Sequence, residues 1–253
     1  ATLTNVKSGG ITGDGSTTLP TNWQLIEGYL IGPGADLTDA DLSGVDLSGV
    51  DLSGATLTNV KSGGITGDGS TTLPTNWQLN EGYLIGPGAD LTDMFLTYNN
   101  LDGAHLSGAN LTGANLGVTT LIGATLTNAT LTNATLSGAT LTDATLTNVK
   151  SGGITGDGST TLPTNWQLIE GYLIGPGAVL TGADLSGADL SGADLSSVKS
   201  GGVTGDGSTT LPANWQIIDG YLIGPGADLT DAHLGFAALT GANLNGADLT
   251  GAV

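Results

Sequence analysis

Residues 104–148 read AHLSG ANLTG ANLGV TTLIG ATLTN ATLTN ATLSG ATLTD ATLTN, a run of nine units of five residues. Leucine is central in every unit, and the same unit recurs through residues 35–59 and 227–251. A period of five matches neither the 3.6-residue repeat of a helix nor the two-residue repeat of a strand. The stretch therefore indicates a repeat architecture in which stacked units share one core.

The composition of each unit is position-specific. A small residue stands two places before the leucine, Asp, Asn or Thr lies between them, and Ser or Thr follows. Gly, Asn or Asp closes most units, as expected at corners that need a positive φ. The pattern resembles the pentapeptide-repeat family, whose unit is A-(D/N)-L-x-x. The resemblance implies an all-β fold, a right-handed quadrilateral parallel β-helix with the leucine and the small residue pointing inward.

Longer segments, which we call cassettes, interrupt the units. All four have the same length, begin VKSGG and end GPG, and they occupy residues 6–34, 60–88, 149–177 and 198–226. We interpret each as one coil plus nine inserted residues, with VKSGG, ITGDG, WQLIE and GYLIG as the sides and the insertion around STTLPTN. The prediction is a single domain, residues 1–253, of about eleven coils with four loop insertions.

The spacing between cassettes predicts where their loops emerge. The intervening stretches, residues 35–59, 89–148 and 178–197, each hold a whole number of five-residue units, so the register is kept. Counting sides places the loops near Ser70, Ser159 and Ser208 on one edge and the loop near Ser16 on the neighbouring edge.

The charge balance excludes several kinds of partner. The net charge is −19, with no arginine and only four lysines, so direct nucleic-acid binding is not expected. Acidic residues before the central leucine concentrate toward both ends, whereas Thr120 to Thr145 make the middle nearly neutral. Cysteine is absent, which excludes disulfides and thiolate metal sites. No apolar run reaches the roughly 18 residues of a membrane span, so membrane insertion is not expected.

Aromatic residues in the cassettes are the candidate partner contacts. An indole does not fit a position built for alanine, so we expect each ring to turn outward and pack under its own loop. Two interpretations remain open, a small core that anchors the loop and an exposed recognition platform flanked by the tyrosines. The candidates are Trp23, Trp77, Trp166 and Trp215, with Tyr29, Tyr83, Tyr172 and Tyr221.

Catalytic and cofactor motifs are not found. His105 and His233 are the only histidines and fall about five coils apart on opposite faces, and no phosphate-binding motif occurs. The loop aspartates favour turn chemistry, with weak cation binding as the alternative, since each loop offers one carboxylate. These aspartates are Asp14, Asp68, Asp157 and Asp206. We predict neither an enzyme nor a cofactor or metal site.

The sequence predicts a non-enzymatic binding or structural scaffold with a protein partner that it does not identify. An alternative is an acidic mimic of duplex DNA that inhibits a DNA-binding enzyme such as DNA gyrase, a role attributed to some members of the family. The estimated 52 Å rod carries about one net charge per 2.7 Å, against one per about 1.7 Å in DNA. A spacer without a ligand is a third possibility. Because no capping segment is evident, either caps lie outside the sequence or rods pair end to end as a homodimer.

Overall fold

The central leucines from Leu37 to Leu229 fill the interior of the molecule, whereas those of the last units are partly exposed, Leu249 by 41%. The computed structural model describes residues 3–13 and 16–253, and in it Leu126, Leu131 and Leu136 have no exposed surface. Ala129 and Ala134, two positions before a leucine, are equally buried. The predicted inward positions are therefore confirmed, and the fold is all-β, with no helix in the described part of the chain.

Consecutive coils are joined by parallel bridges between residues four units apart, such as Asn110 with Thr130 and Thr130 with Lys150. Each bridge uses the backbone on both sides. The Leu111 amide donates to the Thr130 carbonyl at 2.8 Å, and the Thr130 amide donates to the Ala109 carbonyl at 3.0 Å. A coil thus satisfies its backbone through its neighbours, which is why it cannot be stable alone.

The corners have the backbone conformation that the closing residues predicted. Asn128, Asn133 and Gly138 have φ values of 61°, 60° and 72°, in the left-handed region. The amide of the residue after each corner donates back across it, as Ala129 does to Leu126 at 2.9 Å. Asparagine and glycine are favoured here because they tolerate a positive φ better than other residues.

Each cassette contains an antiparallel hairpin, which corrects the interpretation of WQLIE and GYLIG as two sides of a parallel coil. In the second cassette Gln78 pairs with Ile85, Leu79 with Leu84 and Asn80 with Tyr83. The strands are β1 Gln24–Ile26, β2 Tyr29–Ile31, β3 Gln78–Asn80, β4 Tyr83–Ile85, β5 Gln167–Ile169, β6 Tyr172–Ile174, β7 Gln216–Ile218 and β8 Tyr221–Ile223. Among the described residues these strands pair only within each hairpin, as β1–β2, β3–β4, β5–β6 and β7–β8.

The bridges across a cassette show how it joins the coils. Lys61 pairs with Asp90, so this bridge spans nearly the whole second cassette, whereas bridges between ordinary units span only four units. Lys61, Lys150 and Lys199 lie in one continuous ladder of bridges, and Lys7 lies in a separate ladder with Asp36 and Thr56. Three cassettes thus begin on the same side of the coil. The handedness and the number of coils stay predictions.

Candidate functional site

The hairpin turn is made by a glutamate or aspartate followed by glycine. Glu81 and Gly82 have φ values of 46° and 83°, and Glu170 and Gly171 have 47° and 77°. Two consecutive residues with positive φ reverse the chain with the twist that suits a two-residue hairpin. A β-carbon on Gly82 would lie 3.2 Å from the Gly64 amide nitrogen, so the turn rests against the underlying backbone.

A serine occupies the leucine position beneath each hairpin. The Leu84 amide donates to the Ser62 hydroxyl at 2.9 Å, and Ser62 is fully buried. The same bond joins Leu30 to Ser8, Leu173 to Ser151 and Leu222 to Ser200. A leucine here would leave the hairpin amide without this acceptor, so the serine fixes the hairpin to its own cassette.

The four cassette tyrosines pack on a glycine of the VKSGG segment. A β-carbon on Gly152 would lie 3.1 Å from the Tyr172 ring. The hydroxyls of Tyr29, Tyr172 and Tyr221 accept a hydrogen bond from the backbone amide 12 residues later, at 3.1–3.2 Å. Tyr83 is the exception within the described chain, because the corresponding amide, that of Phe95, does not donate to it.

The cassette tryptophans pack against the protein and are not fully exposed. The Trp77 amide donates to the Pro74 carbonyl at 3.1 Å, which closes the turn that leads into β3. A β-carbon on Gly86 would overlap the indole, so the ring lies on a glycine that the sequence reasoning did not single out. The sequence feature that could have indicated this contact is the glycine that follows YLI in every cassette. Trp23 is 9% exposed, and Trp77, Trp166 and Trp215 are half-buried.

The packing of the indoles matches the loop-anchoring interpretation more closely than the exposed platform. Leu73 and Trp77 both pack against the core cluster that contains Val60 and Ile65. Leu162 with Trp166, and Leu211 with Trp215, are arranged in the same way in their cassettes. Whether any of the eight aromatic residues contacts a partner stays a prediction.

The loop aspartates stabilise turns, because their carboxylates accept hydrogen bonds from nearby amides and hydroxyls. The Asp68 carboxylate accepts hydrogen bonds from the Ser70 amide at 2.9 Å, the Ser70 hydroxyl at 2.6 Å and the Gly49 amide at 3.2 Å. The Ser208 hydroxyl and amide and the Gly187 amide lower the pKa of Asp206 to about 2. The Asp157 carboxylate accepts the equivalent hydrogen bonds from the Ser159 amide and hydroxyl and from the Gly138 amide. Asp14 lies outside the described residues.

Aspartates before the central leucine also bind local donors. Hydrogen bonds from Ser43 lower the pKa of Asp41, and those from Ser48 and Thr66 lower the pKa of Asp46. The strongest case is Asp189, whose pKa falls to about 2 because the Thr210 hydroxyl and the Ser191 hydroxyl and amide donate to it. Like other aspartates these carboxylates are ionised at neutral pH, and the hydrogen bonds keep them ionised at more acidic pH.

An exposed aromatic surface lies where the sequence analysis named no candidate except Tyr83. Phe95 is 72% exposed and Tyr98 is 78% exposed, beside a cleft of about 550 Å³ that we call the aromatic cleft. It is lined by Asn80, Glu81, Tyr83, Phe95, Thr97, Tyr98, Asn99 and Asn100. The signal was MFLTY at residues 94–98, which places large residues where other units have Asp, Asn or Thr and a corner residue.

The histidines and acidic residues do not form a catalytic or metal-binding cluster among the described residues. His105 pairs with Thr125 in one ladder, whereas the His233 amide donates to the Tyr221 hydroxyl in the fourth cassette, so the two histidines do not converge. No group of three His, Cys, Asp or Glu residues that could hold a metal ion occurs within residues 3–13 and 16–253. The same residues include no helix with the length and apolar character to cross a membrane.

Comparison with protein families gives one match. The family model described as pentapeptide repeats matches eight copies, over residues 33–61, 89–117, 111–148, 176–199 and 226–253, which together exceed half of the chain. The matched ranges leave out most of each cassette. No curated protein matches the chain.

Solved structures of repeat proteins are also similar to the chain. HetL from the cyanobacterium Nostoc sp. strain PCC 7120, described as involved in heterocyst differentiation regulation, is 32% identical, with a TM-score of 0.28. The match covers 86% of this chain and 84% of HetL. Rfr23 from the cyanobacterium Cyanothece 51142 is 30% identical over 47% of this chain and 64% of its own, with a TM-score of 0.24. QnrB1, a plasmid-mediated fluoroquinolone resistance protein, is 18% identical over 85% of this chain and 77% of its own, with a TM-score of 0.25.

Proposed function

The chain belongs to the pentapeptide-repeat family, and from this we propose that it is a non-enzymatic scaffold that binds a protein partner. The single observation that carries the proposal is the fixed placement of the cassettes. Lys61, Lys150 and Lys199, each the second residue of its cassette, lie in one ladder of bridges. In this proposal the loops of these three cassettes stand along the same side of a stack of coils. A surface of repeated projections is suited to a partner that makes several simultaneous contacts.

In this proposal residues 1–253 form one β-helical domain of about eleven coils, with the four cassettes as its contact elements. The cassette residues support the proposal through their rigidity. Serine, tyrosine and tryptophan side chains tie each hairpin to the coil, so little ordering entropy is lost when a partner docks. The half-buried side chains of Trp77, Trp166 and Trp215 are the contact points that we propose, beside the exposed loops.

Affinity capture with altered cassettes tests the scaffold function. Wild-type chain, the Trp77→Ala and Trp166→Ala variants, and an Asp41→Asn control are immobilised and exposed to an extract of the source cells. We expect a partner to be retained by wild type and by Asp41→Asn but depleted by the tryptophan variants. Retention of that partner by all four baits would contradict the cassette contacts, and failure to retain any protein would contradict the scaffold function.

Mimicry of duplex DNA is a second candidate, favoured by the exposed aspartates that precede the central leucines, such as Asp46 and Asp184, which are negatively charged at neutral pH. Ionised carboxylates at regular spacing can imitate a row of phosphates toward a DNA-binding enzyme. The nearly neutral stretch of threonines from Thr120 to Thr145 interrupts that row. A salt-sensitive interaction with purified DNA gyrase that weakens in Asp→Asn variants would support mimicry, and its absence at low salt would reject it.

End-to-end pairing of two copies is the remaining part of the proposal. Backbone groups at the end of a β-helix have no further coil to bond, and a second copy would supply one. Sedimentation equilibrium over a range of protein concentrations distinguishes the two states. A dimer that forms reversibly supports pairing, and a monomer at every concentration excludes it.

A further inference from the structure

The aromatic cleft is a place where the chain departs from its own repeat at several neighbouring positions. Asn80 stands at the hairpin position that is Ile26, Ile169 or Ile218 in the other cassettes. Phe95 occupies the outward position that is usually Asp, Asn or Thr. The adjoining coil needs none of these changes, since the equivalent positions elsewhere form the same bridges and corners with the usual residues. Their presence together in one cleft therefore calls for a role other than folding.

The backbone at the cleft is strained by its side chains. Tyr98 is a corner residue of the cleft with a φ of 64°, and Val118, the corner residue stacked next to it outside the cleft lining, has a φ of 57°. Most described corners have Gly, Asn or Asp at this conformation, which bulky and β-branched residues disfavour. Both side chains are exposed, at 78% and 48%, so burial does not compensate for the strain. Strain of this kind is characteristic of functional sites.

Three polar groups in the lining of the cleft accept no hydrogen bond within the described chain. The Glu81 carboxylate has no hydrogen-bond or ion-pair partner among the described residues. The Asn80 side-chain nitrogen donates to the Asn100 carbonyl at 2.9 Å, but its Oδ1 is buried and accepts nothing within the described chain. The Tyr83 hydroxyl lacks the backbone donor that serves the other cassette tyrosines. A complementary ligand group would thus be rich in donors and positively charged.

We propose that the aromatic cleft binds an arginine side chain presented by a basic segment of a protein partner. A guanidinium group stacks on aromatic faces such as those of Phe95 and Tyr98, and it carries five donors and no acceptor. Glu81 supplies the opposite charge, on a chain whose net charge is −19. The inference rests on the proposed scaffold function and adds to it the chemistry of one contact.

Binding of a short fluorescein-labelled peptide of alternating arginine and serine, followed by fluorescence anisotropy, tests the proposal. The variants are Phe95→Asn, Tyr98→Asn and Glu81→Gln, and the first two restore residue types that the repeat uses at those positions. Two matched controls are available, Phe236→Asn at a phenylalanine that is fully exposed in another coil and Glu170→Gln at the same hairpin position of the third cassette. Circular dichroism verifies that each variant is folded.

We expect Phe95→Asn and Tyr98→Asn each to weaken binding by about two- to fivefold, the range of a cation–π contact at an exposed site. Glu81→Gln should weaken binding by up to about fivefold, the range of an exposed ion pair. The controls should bind as wild type does, and a lysine counterpart of the peptide should bind more weakly. Equal binding by wild type and the cleft variants, or equal affinity for the lysine peptide, would overturn the arginine site. That result leaves the scaffold function intact, because its test is the capture of a partner through the cassettes.

Discussion

The amide nitrogen of Leu84 lies 2.9 Å from the hydroxyl oxygen of Ser62 and donates its hydrogen bond to it. Ser62 stands where other units have the central leucine, and it is fully buried. The relationship explains how a parallel stack of coils can hold an antiparallel hairpin. Leu84 and Ile85 are themselves fully buried, so the hairpin contributes apolar side chains to the core while the serine satisfies its backbone.

Replacement of this serine should loosen the hairpin. The Ser62→Ala variant removes the acceptor of the buried Leu84 amide, at a cost of about 1–3 kcal/mol. Amide hydrogen exchange should show Leu84 exchanging faster than in wild type. The exposed Ser53→Ala variant is the control and should leave Leu84 protected. Unchanged protection of Leu84 in Ser62→Ala would mean that the hydroxyl is not its acceptor.

A methyl group under the indole should be poorly tolerated. In Gly86→Ala the new β-carbon would overlap the Trp77 ring, and a rigid ring relieves such an overlap only by moving. We expect a loss of about 1–3 kcal/mol in the free energy of unfolding, measured by chemical denaturation.

The same cassette supplies a control for this change. A β-carbon on Gly69 would have no other atom within 4 Å, so Gly69→Ala should unfold at nearly the denaturant concentration of wild type. If both variants lose equal stability, the contact between Gly86 and the indole is not the cause.

Substitution of the first turn residue should stabilise a hairpin. Glu170 adopts a φ of 47° at the first turn position, where asparagine followed by glycine is preferred. Glu170→Asn should therefore stabilise the chain by up to about 1 kcal/mol, seen as a higher melting temperature. Glu170→Ala provides the comparison, since alanine removes the carboxylate without easing the positive φ. A gain of equal size in both variants would attribute the effect to charge rather than to backbone conformation.

The ionisation of Asp189 depends on Thr210. The Thr210 hydroxyl donates to the Asp189 carboxylate at 2.5 Å and is the largest cause of the pKa of about 2, against an ordinary value of 3.8. Because the folded-state pKa is lowered, this aspartate stabilises the fold above pH 3.8, and the contribution is lost as the pH falls through about 2.

Carboxyl-carbon NMR titration checks the role of this hydroxyl. Thr210→Val should raise the pKa of Asp189 toward 3.8 and reduce the loss of stability in acid. Thr161→Val, at the same position of the third cassette, faces Thr140 rather than an aspartate and should leave the pKa of Asp189 unchanged. A pKa that stays near 2 in Thr210→Val would assign the shift to Ser191 alone.

The sequence by itself determined the repeating part of the fold. A leucine at every fifth position and Gly, Asn or Asp at the corners specify which side chains are buried and where φ is positive. They do so because every unit buries one leucine and turns one corner in the same way. The pairing of the hairpin strands was harder to predict from the sequence. QLI and YLI flank a two-residue Glu-Gly turn, but those runs could pair with the neighbouring coil or with each other, and local composition favours neither.

Only the tertiary structure decided between those pairings, because the outcome depends on what lies beneath the hairpin. Ser62 and Gly86 give the second hairpin an acceptor and a space for the indole, and both contacts join residues distant in sequence. The aromatic cleft has the same origin. Phe95 and Tyr98 break the pattern of the repeat in the sequence, but only the structure shows that they line one cleft with Glu81 of the preceding hairpin turn.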